Sequence, residues 1–93
     1  MAKRLSELFV SRLSFYTTEE SFREMFSPYG LIRQARLVKD PRTGRNKGFG
    51  FVAYESEDDA RRALKAMNGR VINNRLIFVE FANSRENGEN ADH

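Results

Sequence analysis

The sequence predicts an α+β fold in which two helices cover one face of a four-stranded antiparallel sheet. Four segments alternate apolar and polar residues with the period of a β-strand, and two segments space their apolar residues as a helix does. These segments follow one another in the order strand, helix, strand, strand, helix, strand. The chain of 93 residues is long enough for one domain, because a chain of this size buries only about 60–65% of its unfolded surface.

The predicted strands are residues 8–13, 31–39, 49–54 and 75–81. Successive side chains of a strand point to opposite faces of the sheet. Alternation therefore places Phe9, Phe49 and Phe51 on the face away from the helices. The same count places Phe78 and Glu80 on that face of the fourth strand, which we expect at the sheet edge beside the first strand.

The two predicted helices have recognisable first turns. Thr17 and Glu20 have the spacing of a capping box. Ser56 with Asp59 begins the second helix, and Gly69 follows its end with the left-handed conformation that a helix end commonly needs. The apolar stripes are Phe22, Met25 and Phe26 in the first helix and Ala60, Ala63, Leu64 and Met67 in the second. The result is a ferredoxin-like βαββαβ sandwich with one open sheet face.

Composition divides the chain into three parts. Residues 1–6 are expected to be an N-terminal extension, and residues 7–82 are the predicted domain. Residues 83–93 have no apolar periodicity, which predicts a disordered polar tail. No apolar run approaches the roughly 20 residues that span a bilayer, so we expect no membrane partner.

The residue types present argue against an enzyme. The chain has no Cys, and its single His is His93, the last residue. A disulfide framework, a thiolate zinc site and a Cys nucleophile are therefore excluded, and a catalytic triad would need a chain end as its scaffold. The acidic residues 19–20 and 57–59 fall in first helical turns, where they complement the helix dipole. We expect no catalytic residue, no metal ligand and no cofactor.

Positive charge is concentrated in the first half of the chain. Residues 1–50 carry ten Lys and Arg against five Asp and Glu, whereas residues 51–93 carry six against eight. One short stretch holds Arg33, Arg36, Lys39, Arg42, Arg45 and Lys47 against Asp40. Such a run of like charges indicates either a solvated loop or a surface for a polyanion.

The open sheet face is aromatic where a polar face is usual. Phe9, Phe49 and Phe51 are costly to expose in a monomer unless something stacks on them. Unpaired bases supply flat π-faces, and each base–aromatic stack contributes about 1–3 kcal/mol. Two alternatives are that the rings belong to the core, which alternation argues against, or that the face binds protein. We expect Gly50, between two of these rings, to let the helix layer approach closely.

Residues 47–54, KGFGFVAY, match every position of the octapeptide K/R-G-F/Y-G/A-F-V-x-F/Y. Residues 8–13, LFVSRL, resemble a hexapeptide with an aromatic residue at its second position. In both, the chain resembles the RNA recognition motif (RRM) family, from about residue 5 to residue 82. One departure is Arg12, where the family usually has Asn. This difference implies either another conformation at the end of the first strand or a phosphate contact.

The resemblance implies a role for each residue of the two motifs. Phe9 and Phe51 would stack on two successive bases, Phe49 would pack against sugars, and Lys47 would bind a phosphate. Gly48 would leave room for the approaching RNA backbone.

Other residues are candidates on weaker grounds. Arg36 points outward on the second strand. Arg42 and Arg45, in the loop between the second and third strands, bind phosphates or are simply solvated. Phe78 is a fourth stacking platform or packs under the tail, and Glu80 accepts hydrogen bonds from a base amino group. Three further aromatic residues are expected to pack around the first helix: Phe15, Tyr16 and Tyr29.

The function implied is binding of single-stranded or looped RNA, in RNA processing or as a component of a ribonucleoprotein. The alternative is a structural subunit of a ribosome-like particle, which would dock by protein contacts through the acidic second helix as well as by RNA. The chain is most similar to short single-RRM RNA-binding proteins of plant organelles. We therefore expect an organelle, the mitochondrion, with nucleus or cytoplasm as alternatives.

Overall fold

The computed structural model of the protein describes residues 6–82. Along this part of the chain the elements are β1 (Glu7–Ser11), α1 (Glu19–Phe26), a 3-10 turn (Ser27–Tyr29), β2 (Ile32–Lys39), β3 (Asn46–Tyr54), α2 (Glu57–Met67), β4 (Val71–Ile72), β5 (Arg75–Leu76) and β6 (Phe78–Phe81). The expected tail, residues 83–93, and the first five residues of the expected extension lie outside the described residues.

The main sheet has the strand order β2–β3–β1–β6, and all of its pairings are antiparallel. The two central strands, β3 and β1, are those that carry the two motifs. The predicted ferredoxin-like fold is confirmed, with both helices on one face of the sheet.

The predicted fourth strand, residues 75–81, divides in two. Its first two residues form β5, which pairs with β4 in a separate hairpin, and only β6 joins the main sheet. The break is at Ile77, whose backbone bonds to the end of α2 and the start of β4: its N–H donates to the Arg70 carbonyl, and its carbonyl accepts from Gly69, both at 2.9 Å. Asn73 and Asn74 make the turn with φ values of 53° and 65°, as the tight hairpin turn requires.

The core lies between the sheet and the two helices. The inward residues of the central strands and the apolar helix stripes meet there, with Leu8, Val10, Phe22, Phe26, Val52, Tyr54, Ala60 and Ala63 fully buried. The Tyr54 hydroxyl donates a hydrogen bond of 2.6 Å to the Phe26 carbonyl. Burial raises the pKa of Tyr54 well above its usual range, and the nearby Tyr29 and Asp59 raise it further.

The start of α1 differs from the capping box expected at Thr17. The N-cap is Thr18, whose hydroxyl accepts from the Ser21 N–H at 3.1 Å, while the Ser21 hydroxyl accepts from the Thr18 N–H at 3.3 Å. A serine thus completes the reciprocal pair that was expected from Glu20. The α2 start is as expected, because the Ser56 hydroxyl accepts from the Asp59 N–H.

Gly50 is required by the neighbouring strand, not by the helix layer as expected. A methyl group on its Cα would lie 2.5 Å from the Arg36 carbonyl oxygen and 3.1 Å from a Leu37 methyl carbon. Both residues belong to β2, so the glycine allows the central strand β3 to pack closely against the edge strand β2. Within the described residues, no helix is both long and apolar enough to cross a membrane.

Candidate nucleic-acid interface

Three phenylalanines form a continuous aromatic surface on the open face of the sheet. Phe9 of β1 lies directly across from Phe51 of β3 in the strand register. The Phe9 ring centre is 5.3 Å from that of Phe51 and 5.6 Å from that of Phe49, with interplanar angles of 52° and 51°. All three rings are partly exposed, whereas the alternating Leu8, Val10 and Val52 are buried. The predicted outward orientation of the three rings is confirmed.

Arginines lie over two of the aromatic rings. The Arg36 guanidinium carbon is 4.6 Å from the centre of the Phe51 ring, its cross-strand neighbour. The Arg12 guanidinium carbon is 5.3 Å from the centre of the Phe78 ring. Both distances are within the range of a cation–π interaction. The open face therefore alternates flat rings with planar cations, both of which can stack on a base.

Arg12 ends the first strand in a left-handed conformation. Its φ is 67°, a region in which Asn is several-fold enriched over most other side chains. Strand β1 accordingly stops at Ser11, two residues before the predicted end. The Arg12 carbonyl accepts a hydrogen bond of 3.1 Å from Nε of Arg75 in the β4–β5 hairpin.

The edge strand β6 extends the open face. Val79 is buried beneath the sheet, whereas Phe78 is 43% exposed and Glu80 is exposed. Glu80 lies across from Phe9 in the register, which brings a carboxylate beside the aromatic surface. The expected orientations on this strand are confirmed, and the tail under which Phe78 was alternatively expected to pack is outside the described residues.

Exposed cations line the β2–β3 hairpin. Arg42, Arg45 and Lys47 are exposed. Asp40 accepts a hydrogen bond of 2.8 Å from the Arg42 N–H, and its carboxylate is 3.9 Å from the Arg42 Nε. Arg42 is thus partly neutralised, while Arg45 and Lys47 form no ion pair with another described residue.

Phe15 and Tyr16 do not pack around the first helix as expected. Phe15 is 65% exposed and Tyr16 is 93% exposed, whereas the nearby Leu13 is buried. Tyr29 instead packs against the core, and its hydroxyl is 3.6 Å from the sulfur of Met67 in the second helix. The position of the two aromatic residues in the sequence could have indicated their exposure. Both precede the cap of α1, in a loop, so neither lies on a face of the helix.

Gly48 adopts a conformation that the expected role did not anticipate. Its φ is 90°, so a side chain there would be strained. A methyl group on its Cα would also lie 3.1 Å from Cε1 of Phe15 and 3.3 Å from the Leu13 carbonyl oxygen. The glycine therefore allows the close contact between β3 and the β1–α1 loop.

Among residues 6–82 there is no cluster of three potential metal ligands.

Comparison with known proteins gives a family match across most of the chain. A family model described as RNA recognition motif matches residues 8–78. Small RNA-binding protein 11, chloroplastic, of Arabidopsis thaliana is 44% identical over 81 residues, which are 87% of this chain and 56% of that protein. Glycine-rich RNA-binding protein 3, mitochondrial, of the same plant is 39% identical over 83 residues, which are 89% of this chain and 27% of that protein.

The structural match is equally broad. An SXL-lethal protein/RNA complex superimposes with a TM-score of 0.80 at 32% sequence identity, over 83% of this chain and 46% of that one. This chain therefore spans about half the length of the first relative and of the solved structure, and about a quarter of the second relative.

Proposed function

Because this chain belongs to the RNA recognition motif family, we propose that it binds single-stranded RNA on the open face of its sheet. The observation that carries the proposal is the contact of the Phe9 ring with the Phe49 and Phe51 rings at 5.6 and 5.3 Å. A single strand fits this surface, because a duplex hides the faces of its bases from side chains.

Each motif residue has a proposed role on this surface. Phe9 and Phe51 stack on successive bases, and Phe49 packs against the sugars. Lys47, exposed at the start of β3, binds a phosphate. Arg36 binds a phosphate or stacks on the base above Phe51, since its guanidinium already lies on that ring.

The periphery of the surface has a second set of proposed contacts. Arg12 and Phe78 offer a stacked cation and ring at the edge strand. Glu80 accepts hydrogen bonds from a base amino group, which gives some base preference. Arg42 and Arg45 of the hairpin bind phosphates. An enzymatic role is not proposed, because none of these groups is arranged as a nucleophile with a base.

A competition experiment tests the proposal directly. Labelled single-stranded RNA of randomised sequence is bound to the wild-type protein and followed by fluorescence anisotropy. Unlabelled single strands should displace it, while duplex RNA of the same length should compete only weakly. Equal competition by the duplex would contradict recognition through stacked bases, because phosphates alone do not distinguish the two strongly.

We further propose that the protein works on organellar transcripts, in RNA processing or as a component of a ribonucleoprotein. Support comes from the relatives, whose names place them in the chloroplast and the mitochondrion. The mitochondrion remains our specific proposal, with the chloroplast as the competing compartment. Crosslinking in cells followed by sequencing of the bound RNA tests both parts, because organellar transcripts are distinct from nuclear ones.

The second candidate function is that of a structural subunit that also contacts ribonucleoprotein or ribosomal proteins. It is favoured by the location of α2 (Glu57–Met67), whose exposed charges lie on the side of the sheet opposite the aromatic rings. RNA and a protein partner could then be held at once. A single domain of this kind reads only two or three stacked bases, so a second contact would raise its avidity.

A further inference from the structure

A groove opens between the β1–α1 loop and the β2–β3 hairpin. Its volume is about 670 Å³, and it is lined by residues that include Phe15, Tyr16, Thr17, Lys39, Arg45 and Asn46. This size lies within the range of about 300–1,000 Å³ typical of pockets that hold small ligands. The lining combines exposed rings with cations, and the roles proposed above for the open sheet face do not use the rings.

The two aromatic side chains of the groove are unusually exposed. Phe15 and Tyr16 are 65% and 93% exposed, although they are the largest side chains of their loop. Their backbone is fixed, because the Tyr16 N–H donates to the Ser14 hydroxyl and the Thr17 N–H to the Ser14 carbonyl, both at 3.1 Å. Two rings held outward on an ordered loop form a platform for a flat ligand.

The two walls of the groove are tied together. The Asn46 side-chain amide donates to the Thr17 carbonyl at 3.0 Å, and its oxygen accepts from the Gly48 N–H at 2.8 Å. The Leu37 N–H of β2 donates to the Glu19 carboxylate at 3.1 Å. These hydrogen bonds join the hairpin to the start of α1, so the position of the two groove walls relative to each other is set by the fold.

The charges of the groove favour an anionic ligand. Lys39 and Arg45 are exposed and form no ion pair with another described residue. The facing carboxylate of Glu19 is already held by a backbone N–H. The Thr17 hydroxyl is buried without a hydrogen-bond partner, which is costly unless a ligand or solvent completes it.

The groove is adjacent to the proposed RNA surface. The Phe15 ring lies against Gly48, where a methyl group would be only 3.1 Å from its Cε1. Gly48 separates Lys47 from Phe49, so the groove begins one residue away from the aromatic sheet. A strand that leaves the sheet past Lys47 passes the rim of the groove.

We propose that this groove holds one further nucleotide of the same RNA strand. Its base lies against Phe15 and Tyr16, and its phosphate lies near Lys39 and Arg45. The inference rests on the proposed RNA binding and extends it from the sheet face to the helix side of the hairpin. The proposed ligand is RNA and not a peptide, because aromatic rings beside unpaired cations match a base and its phosphate.

The test compares two lengths of randomised single-stranded RNA by fluorescence anisotropy. The shorter, about four nucleotides, can be held by the two or three stacking positions of the sheet; the longer has about eight. Tyr16→Ala and Phe15→Ala should weaken binding of the longer RNA by about 5- to 150-fold, the range for loss of one base–aromatic stack. Binding of the shorter RNA should not change.

The matched control is Leu31→Ala, which also removes an exposed apolar side chain; Leu31 is 69% exposed and immediately precedes β2. It should change neither affinity. Thermal melting of each variant checks the fold, and Tyr16→Ala keeps the test decisive if Phe15→Ala disturbs Gly48. Photocrosslinking with 4-thiouridine in the longer RNA should label the loop at residues 15–16 in the wild type.

The outcomes separate this inference from the proposed function. If Phe51→Ala weakens binding of both RNAs while Tyr16→Ala and Phe15→Ala weaken neither, the groove proposal is overturned and the sheet site stands. The groove would then be left to a protein ligand. Equal losses of affinity for the shorter and the longer RNA in Tyr16→Ala and Phe15→Ala would also overturn the proposal of a separate nucleotide position. If the wild type binds neither RNA, the proposed function fails first.

Discussion

The Arg36 guanidinium lies 4.6 Å from the centre of the Phe51 ring, on the open face of the sheet. The two residues are direct neighbours across β2 and β3, so this contact follows from the strand register. A cation thus covers the ring on which a base is proposed to stack. When RNA binds, the guanidinium must share the ring with the base or turn toward a phosphate.

Arg36→Gln should reduce the salt dependence of RNA binding. Loss of one phosphate contact removes about 0.7 from the slope of log K against log salt on a single strand. Fluorescence anisotropy over a series of salt concentrations measures that slope. Arg36→Lys is the matched control, because it keeps the charge and should keep the slope, although it loses the planar contact with Phe51. An unchanged slope in Arg36→Gln would show that Arg36 makes no phosphate contact.

Phe9→Ala and Phe51→Ala should each weaken binding of single-stranded RNA by about 1–3 kcal/mol, because each removes one stack. Both rings are partly exposed, so the free energy of unfolding should fall by less than the roughly 3–5 kcal/mol lost when a fully buried aromatic side chain is truncated. Titration with RNA and urea unfolding measure the two effects.

Phe22→Ala provides the comparison for these two variants. Phe22 is fully buried, so its truncation should cost about 3–5 kcal/mol of stability. If Phe51→Ala destabilised the fold as much as Phe22→Ala does, the assignment of Phe51 to the binding surface would be wrong.

The element order and the outward rings were predictable from the sequence because they depend on local periodicity. The strand period of two assigns Phe9 and Phe51 to one face without knowledge of the partner strand. The octapeptide then identifies which outward rings have a role in binding. The structure keeps these side-chain orientations because burial of the opposite face of the sheet requires the same strand register.

Features that depend on contacts between separate segments, or on a choice between neighbouring residues, were less predictable. Phe15 and Tyr16 are aromatic, but their exposure depends on how the β1–α1 loop lies against β3, where the Phe15 ring is next to Gly48. The α1 cap required a choice between two local pairs, because Thr18 and Ser21 have the same three-residue spacing as Thr17 and Glu20. The β4–β5 hairpin did have a local signal, since Asn73 and Asn74 are both favoured at positive φ, but its strands have only two residues each.

Tyr54→Phe should alter the dependence of stability on pH. Burial raises the pKa of Tyr54 in the folded state, whereas in the unfolded chain it is about 10. The stability that this difference contributes is fully present below the unfolded pKa and is lost as the pH rises above it. We therefore expect wild-type stability to fall more steeply above about pH 10 than that of Tyr54→Phe.

Urea unfolding of both proteins at neutral pH and above about pH 10 provides the measurement. The difference between the two proteins isolates the effect of Tyr54, because every other residue is the same in both. At neutral pH the variant should be less stable by about 0.5–1.5 kcal/mol, because it loses the hydrogen bond to the Phe26 carbonyl. Parallel pH profiles would contradict the buried, neutral state of the hydroxyl.

The exposed face of α2 separates a free RNA binder from a structural subunit. Arg61 pairs with Glu57 and Arg62 with Asp59, and Arg62 also donates to the Tyr29 carbonyl at 3.3 Å. These arginines support the fold, so their replacement would confuse a docking test. Two exposed residues, Asp58 and Lys65, form no ion pair with another described residue and are suited to charge reversal.

Asp58→Lys combined with Lys65→Glu preserves the net charge of the helix but inverts its pattern. If α2 docks on a protein partner, the variant should leave large ribonucleoprotein assemblies in sedimentation of cell extracts, because like charges then face each other. Its RNA affinity should stay unchanged, since α2 lies on the other side of the sheet from Phe9 and Phe51. A Phe9→Ala, Phe51→Ala double variant shows whether RNA binding is what retains the protein in these assemblies. Docking through α2 would be rejected if the charge-reversed protein still cosedimented with the assemblies while the Phe9→Ala, Phe51→Ala double variant did not. RNA alone would then hold the chain in the assembly.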